Sequence, residues 1–204
     1  MYTGRMPEPA EIPSKDPVFF HKRWLVAFGA GVMALTAALE QLMGRKIWGI
    51  SGQPGVWSGD INSEHNSQYM TDPYTFTHVV HGFLFFGLFW MAAGKLPVRV
   101  RALLALMLEC GWEVLENSDM IIQRYRAQTI SLHYYGDSIV NSMCDISAAM
   151  LGFLLASRLP WKVTVAGAVT VEIIMALWVR DNLSLNIIML IHPVEAIKLW
   201  QAQG

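Results

Sequence analysis

The chain has 204 residues and a formal net charge of −1; 53% of its residues are hydrophobic and only 15% are charged. A soluble domain carries about 25% charge, so this composition excludes an ordinary soluble domain. It contains no basic tract, which excludes nucleic acid as a partner. The two cysteines, Cys110 and Cys144, lie in apolar runs and imply no disulfide framework.

Residues 1–20, with Pro7, Pro9, Pro13 and Pro17, predict a disordered cytoplasmic tail ahead of a single transmembrane domain over 21–204. His21-Lys22-Arg23 before the first apolar run reads as an uncleaved signal anchor. Apolar runs near bilayer-crossing length predict spans at about 24–43, 76–93, 100–116, 137–156 and 163–179. Between them, 44–75 and 117–136 read as long polar loops. A short apolar patch at 186–191, stopped by Pro193, reads as an interfacial or re-entrant segment, a sixth span being the alternative. The fold class is an all-α polytopic transmembrane bundle. In the first span, Gly29, Gly31, Ala34 and Ala38 predict close helix packing.

Lys22 and Arg23, then Lys95, Arg99 and Arg101, then Arg158 and Lys162 fall on one side when five spans alternate. The positive-inside rule makes that side cytoplasmic, N-terminus included, in an inner membrane. Both long loops then face outward. Glu40, His78, His81, Glu109, Glu113, Glu116, Asp137, Asn141 and Asp145 all reach the outer half of the bilayer.

Glu109, Glu113 and Glu116 stand at i, i+4 and i+7, within roughly 60° on one helix face. They follow a stretch, Ala102 to Leu108, with no polar side, and acids there need partners or water. Glu109, Glu113 and Asp145 are the candidates for acid–base chemistry; a polar network tying helices together is the alternative. His78 and His81, at i and i+3, share a face and with Glu109 and Glu113 could hold a divalent metal of the zinc type. Their spacing also fits ordinary helix packing. Asp137, Asn141 and Asp145 share a second face, where Asp137 also suits a helix cap. Arg124, Arg126 and Arg180 on the outer side suit phosphate or carboxylate head groups, or pair with Asp119, Asp137 or Asp181. Tyr69, Tyr74, Tyr125, Tyr134, Tyr135 and Trp57 read as an interfacial aromatic belt.

Several motifs carry a resemblance. They are Tyr74-Thr-Phe-Thr-His78-Val-Val-His81-Gly82, Trp112-Glu113-Val-Leu-Glu116-Asn117, and Arg124-Tyr125-Arg126. Tyr135-Gly136-Asp137-Ser138-Ile-Val-Asn141-Ser142 and Arg180-Asp181-Asn182-Leu-Ser-Leu-Asn186 continue it. On these the chain resembles a family of small multi-pass alphaproteobacterial membrane proteins of unknown function, which implies a location and no reaction. More distantly the layout is similar to VanZ-like envelope proteins, with His81, Glu113, Asp137 and Asn141 at matching places. The long outer loops and the triple-glutamate helix depart from that pattern.

Four functions follow as expectations. The first is binding of, or action on, an anionic envelope lipid, with Arg124, Arg126, Asp137, Asn141 and Arg180 holding the head group. The second is a metal-dependent intramembrane hydrolase using His78, His81 and Glu113. The third is a structural assembly protein, and a transporter is disfavoured by the apolar inner half of the spans. Membrane lipids are the expected partners.

Overall fold

A computed structural model describes residues 22–49, 51–129 and 134–203; the predicted tail at 1–20 lies outside them. Among the described residues there are eight helices and no named strand. They are α1 (Lys22–Leu42), α2 (Thr75–Ala92), α3 (Val98–Glu116) and α4 (Asp119–Gln128), then α5 (Ile139–Arg158), α6 (Trp161–Trp178), α7 (Leu183–Ile191) and α8 (Glu195–Gln201).

Four of them, α1, α2, α5 and α6, are long and apolar enough to cross a membrane. Helix α3 has comparable length, at 19 residues, but carries Arg99 and Arg101 at its start and three glutamates toward its end. Three of its charged residues are turned inward: Arg101, Glu109 and Glu113 are buried, Glu116 is half-buried, and Arg99, Met107, Leu108 and Leu115 are exposed. That inversion is what a lipid-surrounded helix requires, because unpaired polar groups cannot face hydrocarbon.

Helix α5 is the centre of the bundle and α2 its most extensive neighbour. The two cross so closely that a Cβ on Gly82 would run into the Ala149 carbonyl, and one on Gly152 into the Val79 carbonyl. Each helix thus supplies the glycine that admits the other's backbone, a small-residue contact driven by packing rather than by water exclusion. The first-span glycines behave differently. Gly29 meets only the side chains of Leu103 and Leu106, and Gly31 has nothing within 4 Å. Below the crossing, Phe86 and Phe153 meet edge to face, 5.3 Å between ring centroids, beside Ala105 and Ala156.

The 117–136 stretch, expected as loop, contains α4. Ser118 caps it by accepting from the Ile121 amide at 3.4 Å, Asp119 stands in its first turn and Arg126 in its last. The helix buries only Ile122 and Tyr125, so hydropathy carries almost no trace of it. At the other end of the chain, the start of α7 is tied to α6, and α7 packs on α4. Glu172 of α6 accepts from the Leu183 and Ser184 amides, each at 3.0 Å, satisfying the start of α7.

Candidate functional site

The loops at one end of the bundle are stitched together by backbone bonds. Ser138 N donates to Ser67 O at 2.8 Å, Ile139 N to Lys46 O at 2.9 Å, and the Gln68 side chain to Gly136 O at 2.8 Å. Asp72 folds the 66–74 stretch by accepting from the Ser67 amide at 2.9 Å and the Tyr74 amide at 2.7 Å. Burial pushes its carboxyl up. Beneath these loops the C-terminal end of α3 meets the N-terminal ends of α2 and α5, and the acids and histidines gather there.

Glu109 is fully buried and lies between the two histidines. Its Oε1 is 2.6 Å from His78 Nδ1, and both its oxygens are 3.1 Å from His81 Nδ1. Glu113, one turn outward, approaches His78 Nδ1 to 3.5 Å, and Asp145 of α5 approaches His78 Nε2 to 4.0 Å. Both Glu113 oxygens are buried without a hydrogen bond, as are Asp145 Oδ1 and both polar atoms of the Asn141 side chain. The i, i+3 and i, i+4 spacings bring two residues of each helix to one face, and the tight α2–α5 crossing brings Asp145 to the same place.

A narrow cavity descends to this cluster. His78, His81, Glu116, Asp137 and Asp145 line it, with Trp112 on one wall. Its rim is polar, from Asn66 and Ser67 of the outer loop to Asn182 and Asn186 around α7. No lysine or arginine lines it among the described residues.

Asn117 holds the cavity's wall together. Its amide nitrogen donates to Asp137 Oδ2 at 3.0 Å, Ser142 Oγ at 3.3 Å and Glu113 O at 3.1 Å. Its Oδ1 accepts from the Asp137 amide at 2.7 Å. Asp137 therefore does not cap α5; Ser138 does, accepting from Asn141 N at 3.2 Å. Burial raises the Asp137 carboxyl to about 6, while its bonds from Tyr134 and Asn117 work in the opposite direction.

Three tyrosines expected in an interfacial belt instead serve buried acids. Tyr134 donates to Asp137 at 3.0 Å, Tyr125 to Glu116 at 3.0 Å and Tyr74 to Asp181 at 3.1 Å. Asn117, Tyr74, Tyr125 and Tyr134 are the site residues that sequence reasoning passed over. Their motif neighbours, Glu116-Asn117 and Tyr135-Gly136-Asp137, were the available signal. Trp57 stacks on Trp178, with centroids 6.1 Å apart.

The structure brings none of the three arginines to this cavity. Arg124 donates to the last carbonyls of α7, at Leu190 and at Ile191, the latter over 3.2 Å. Arg126 lies over the Tyr135 ring at 5.0 Å. Arg180 donates to Trp200 O at 3.0 Å and lies over the Trp200 ring. Arg124 and Arg180 thus satisfy carbonyls at or near helix C-termini, where cations complement the dipole.

Asp181, beyond the end of α6, ties the C-terminal segment down. It accepts from Tyr74 Oη, from Gln201 at 3.0 Å and from the Asn182 amide at 2.9 Å. Burial lifts its carboxyl from 3.8 to about 6. The folded protein then holds this proton where the unfolded chain has lost it, so stability falls as pH rises from about 4 to about 6 and is flat above. The span from 3.8 to about 6 corresponds to about 3 kcal/mol. Melting of wild type and Asp181→Asn at pH 4.5 and 7.5 should show this fall reduced in the variant. An unchanged slope would remove Asp181 as its source.

A family model described as "Protein of unknown function (DUF2585)" matches residues 40–203. The chain belongs to the DUF2585 family. A UPF0314 protein of Sinorhizobium fredii is 48% identical to this DUF2585 chain, over 88% of it and 90% of the relative. One from Sphingopyxis alaskensis is 44% identical over 89% of the chain and 95% of the relative, and one from Paracoccus denitrificans 42% over 91% and 96%. No solved structure matches it. The match takes in every site residue named above.

Proposed function

We propose that this DUF2585 protein is a multi-pass inner-membrane protein of the cell envelope whose outward-facing pocket binds a cation. The observation that carries the reading is the charge of the cavity: Glu116, Asp137 and Asp145 line it with two histidines and no lysine or arginine among the described residues. Behind that lining lie Glu109 and Glu113, buried at 0% exposure. Carboxylates this close together favour a positive ligand, and low-dielectric walls strengthen the attraction.

The anionic-lipid reading loses support, because the guanidinium groups meant to carry it satisfy backbone carbonyls or stack on rings elsewhere. A lipid remains admissible where its head group presents an ammonium to the acids and Trp112. Five spans fit the inward-turned polar face of α3, with α7 and α8 as an interfacial return on the outer side. The link to the envelope rests on that orientation and on the likeness to VanZ-like proteins.

One preparation tests the proposal. The protein, released gently from its own membrane, is weighed by native mass spectrometry, and a C-terminal reporter locates its end. A periplasmic reporter and a retained cationic species, lost in Asp145→Asn, are the expected results. A bare polypeptide or a retained anion would overturn the cation reading and leave the cluster as helix glue; a cytoplasmic reporter would overturn the five spans.

A further inference from the structure

We infer that His78, His81, Glu109 and Glu113 form a four-ligand centre for a divalent transition-metal ion of the zinc type, at the base of the cavity. The inference rests on the cation reading and makes it specific.

Its first support is spacing. A zinc ion bonds imidazole nitrogen and carboxylate oxygen at about 2.0–2.2 Å, so the donors around a tetrahedral ion stand roughly 3.4 Å from one another. Here one ring nitrogen of His78, one of His81 and one oxygen of Glu109 all lie within 4.8 Å of each other. The closest approaches are 2.6 Å and 3.1 Å, hydrogen-bond lengths that an ion would open by less than an ångström. Glu113 Oε1 stands 3.5 Å from His78 Nδ1. It falls in a second group, with His78 and Glu116, that shares His78 with the first, and it is the fourth ligand we assign from the neighbouring turn.

The second support is independent of spacing. Glu113 is fully buried and neither of its oxygens has a hydrogen-bond partner. It stands beside His78 Nδ1 at 3.5 Å without bonding it, and a buried carboxylate with no hydrogen bond is costly and calls for a charge to meet it. Among the described residues no arginine or lysine lines the cavity, and the Asn117 amide spends its donors on Asp137, Ser142 and the Glu113 backbone.

Charge and ligand type agree. Two neutral imidazoles and two carboxylates sum to −2, which a divalent ion neutralises. Magnesium and calcium prefer all-oxygen shells, whereas imidazole selects zinc, copper, iron or nickel. With Nδ1 of His78 on the metal, its Nε2–H faces Asp145 at 4.0 Å, within reach of one bridging water. Metal-bound histidines are commonly oriented by such a carboxylate. Glu116, with His78 and Glu113, forms an overlapping triad, but its Oε1 is engaged by Tyr125.

The full chain in detergent, stripped with chelator, is titrated with Co²⁺ while its visible spectrum is recorded. The expected result is one Co²⁺ per chain with the intense d–d absorption of tetrahedral cobalt, displaced by Zn²⁺. His81→Ala and Glu113→Gln should each weaken binding by at least about a hundred-fold, the upper end of what losing an orienting neighbour costs. Glu64→Gln, on the exposed outer loop and outside the cavity lining, should bind as wild type does. Monodisperse wild type that takes up no Co²⁺ overturns the centre, as does binding unchanged in both His81→Ala and Glu113→Gln. An organic cation retained in native mass spectrometry, alongside absent Co²⁺ binding, would sink the metal and leave the pocket reading standing.

Discussion

Gly82→Val destabilises the protein by about 3 kcal/mol or more, at or beyond the upper end of the usual cost of overpacking. Most small-to-large changes are absorbed by a side chain that swings away. Here the obstacle is backbone: the new Cβ would meet the Ala149 carbonyl and the Phe153 amide nitrogen. To make room, α2 and α5 must separate, and with them go the Gly152–Val79 approach and the Phe86–Phe153 contact. The effect also reaches the site. His81 adjoins Gly82, and Asp145 lies seven residues before Gly152 on the opposing helix. Thermal unfolding in detergent, followed by circular dichroism, measures the loss. Gly87→Ala is the control, because that glycine lies on the same helix with nothing within 4 Å of its Cβ position. It should be neutral or gain up to about 1 kcal/mol from helix propensity. Equal behaviour of the two variants would show that the crossing does not depend on Gly82.

Asn117→Ala is expected to cost about 3–4 kcal/mol and to loosen the wall of the cavity. The side chain is fully buried and makes four hydrogen bonds, three of them across the junction of α3 with the start of α5 and one back to the Glu113 carbonyl. A net hydrogen bond contributes about 1 kcal/mol, but a buried group left unpaired costs about 1–3 kcal/mol. Truncation strands the Asp137 amide and removes a donor from its carboxylate. Asn117→Asp separates the two effects: it keeps the acceptor for the Asp137 amide and sets a second carboxylate against the first. Its melting temperature should lie near that of Asn117→Ala at pH 7.5 and recover as pH falls below about 6, where Asp137 holds its proton. A pH-independent Asn117→Asp defect would mean that packing, not the acid–amide pair, matters at this position.

Much of the molecule was legible before any tertiary information. Apolar runs announced α1, α2, α5 and α6 to within about two residues, and helical periodicity put Glu109 with Glu113, and His78 with His81, on shared faces. Other features were not legible. Helix α4 buries only two residues of ten and depends on a cap, so it leaves no run for hydropathy to find. The places of the arginines were not legible, because charge alone does not say whether a guanidinium meets a ligand or a helix end. The tyrosines were misread for a related reason, since a phenol near a membrane surface looks the same whether it faces lipid or a buried acid.

By itself the sequence determined an all-helical chain with apolar helices of membrane-crossing length and a set of acids and histidines concentrated toward one end of them. Those properties are local: length, hydropathy and the 3.6-residue period depend on neighbours along the chain. Only the tertiary structure decided which of these groups meet. Glu109 reaches His78 across 31 positions, Asn117 reaches Asp137 across 20, and Tyr74 reaches Asp181 across 107. Such pairings depend on how closely helices approach; for α2 and α5, which bring His78 within 4.0 Å of Asp145, that distance is set by two glycines, Gly82 and Gly152, whose missing side chains admit a backbone carbonyl from the opposing helix.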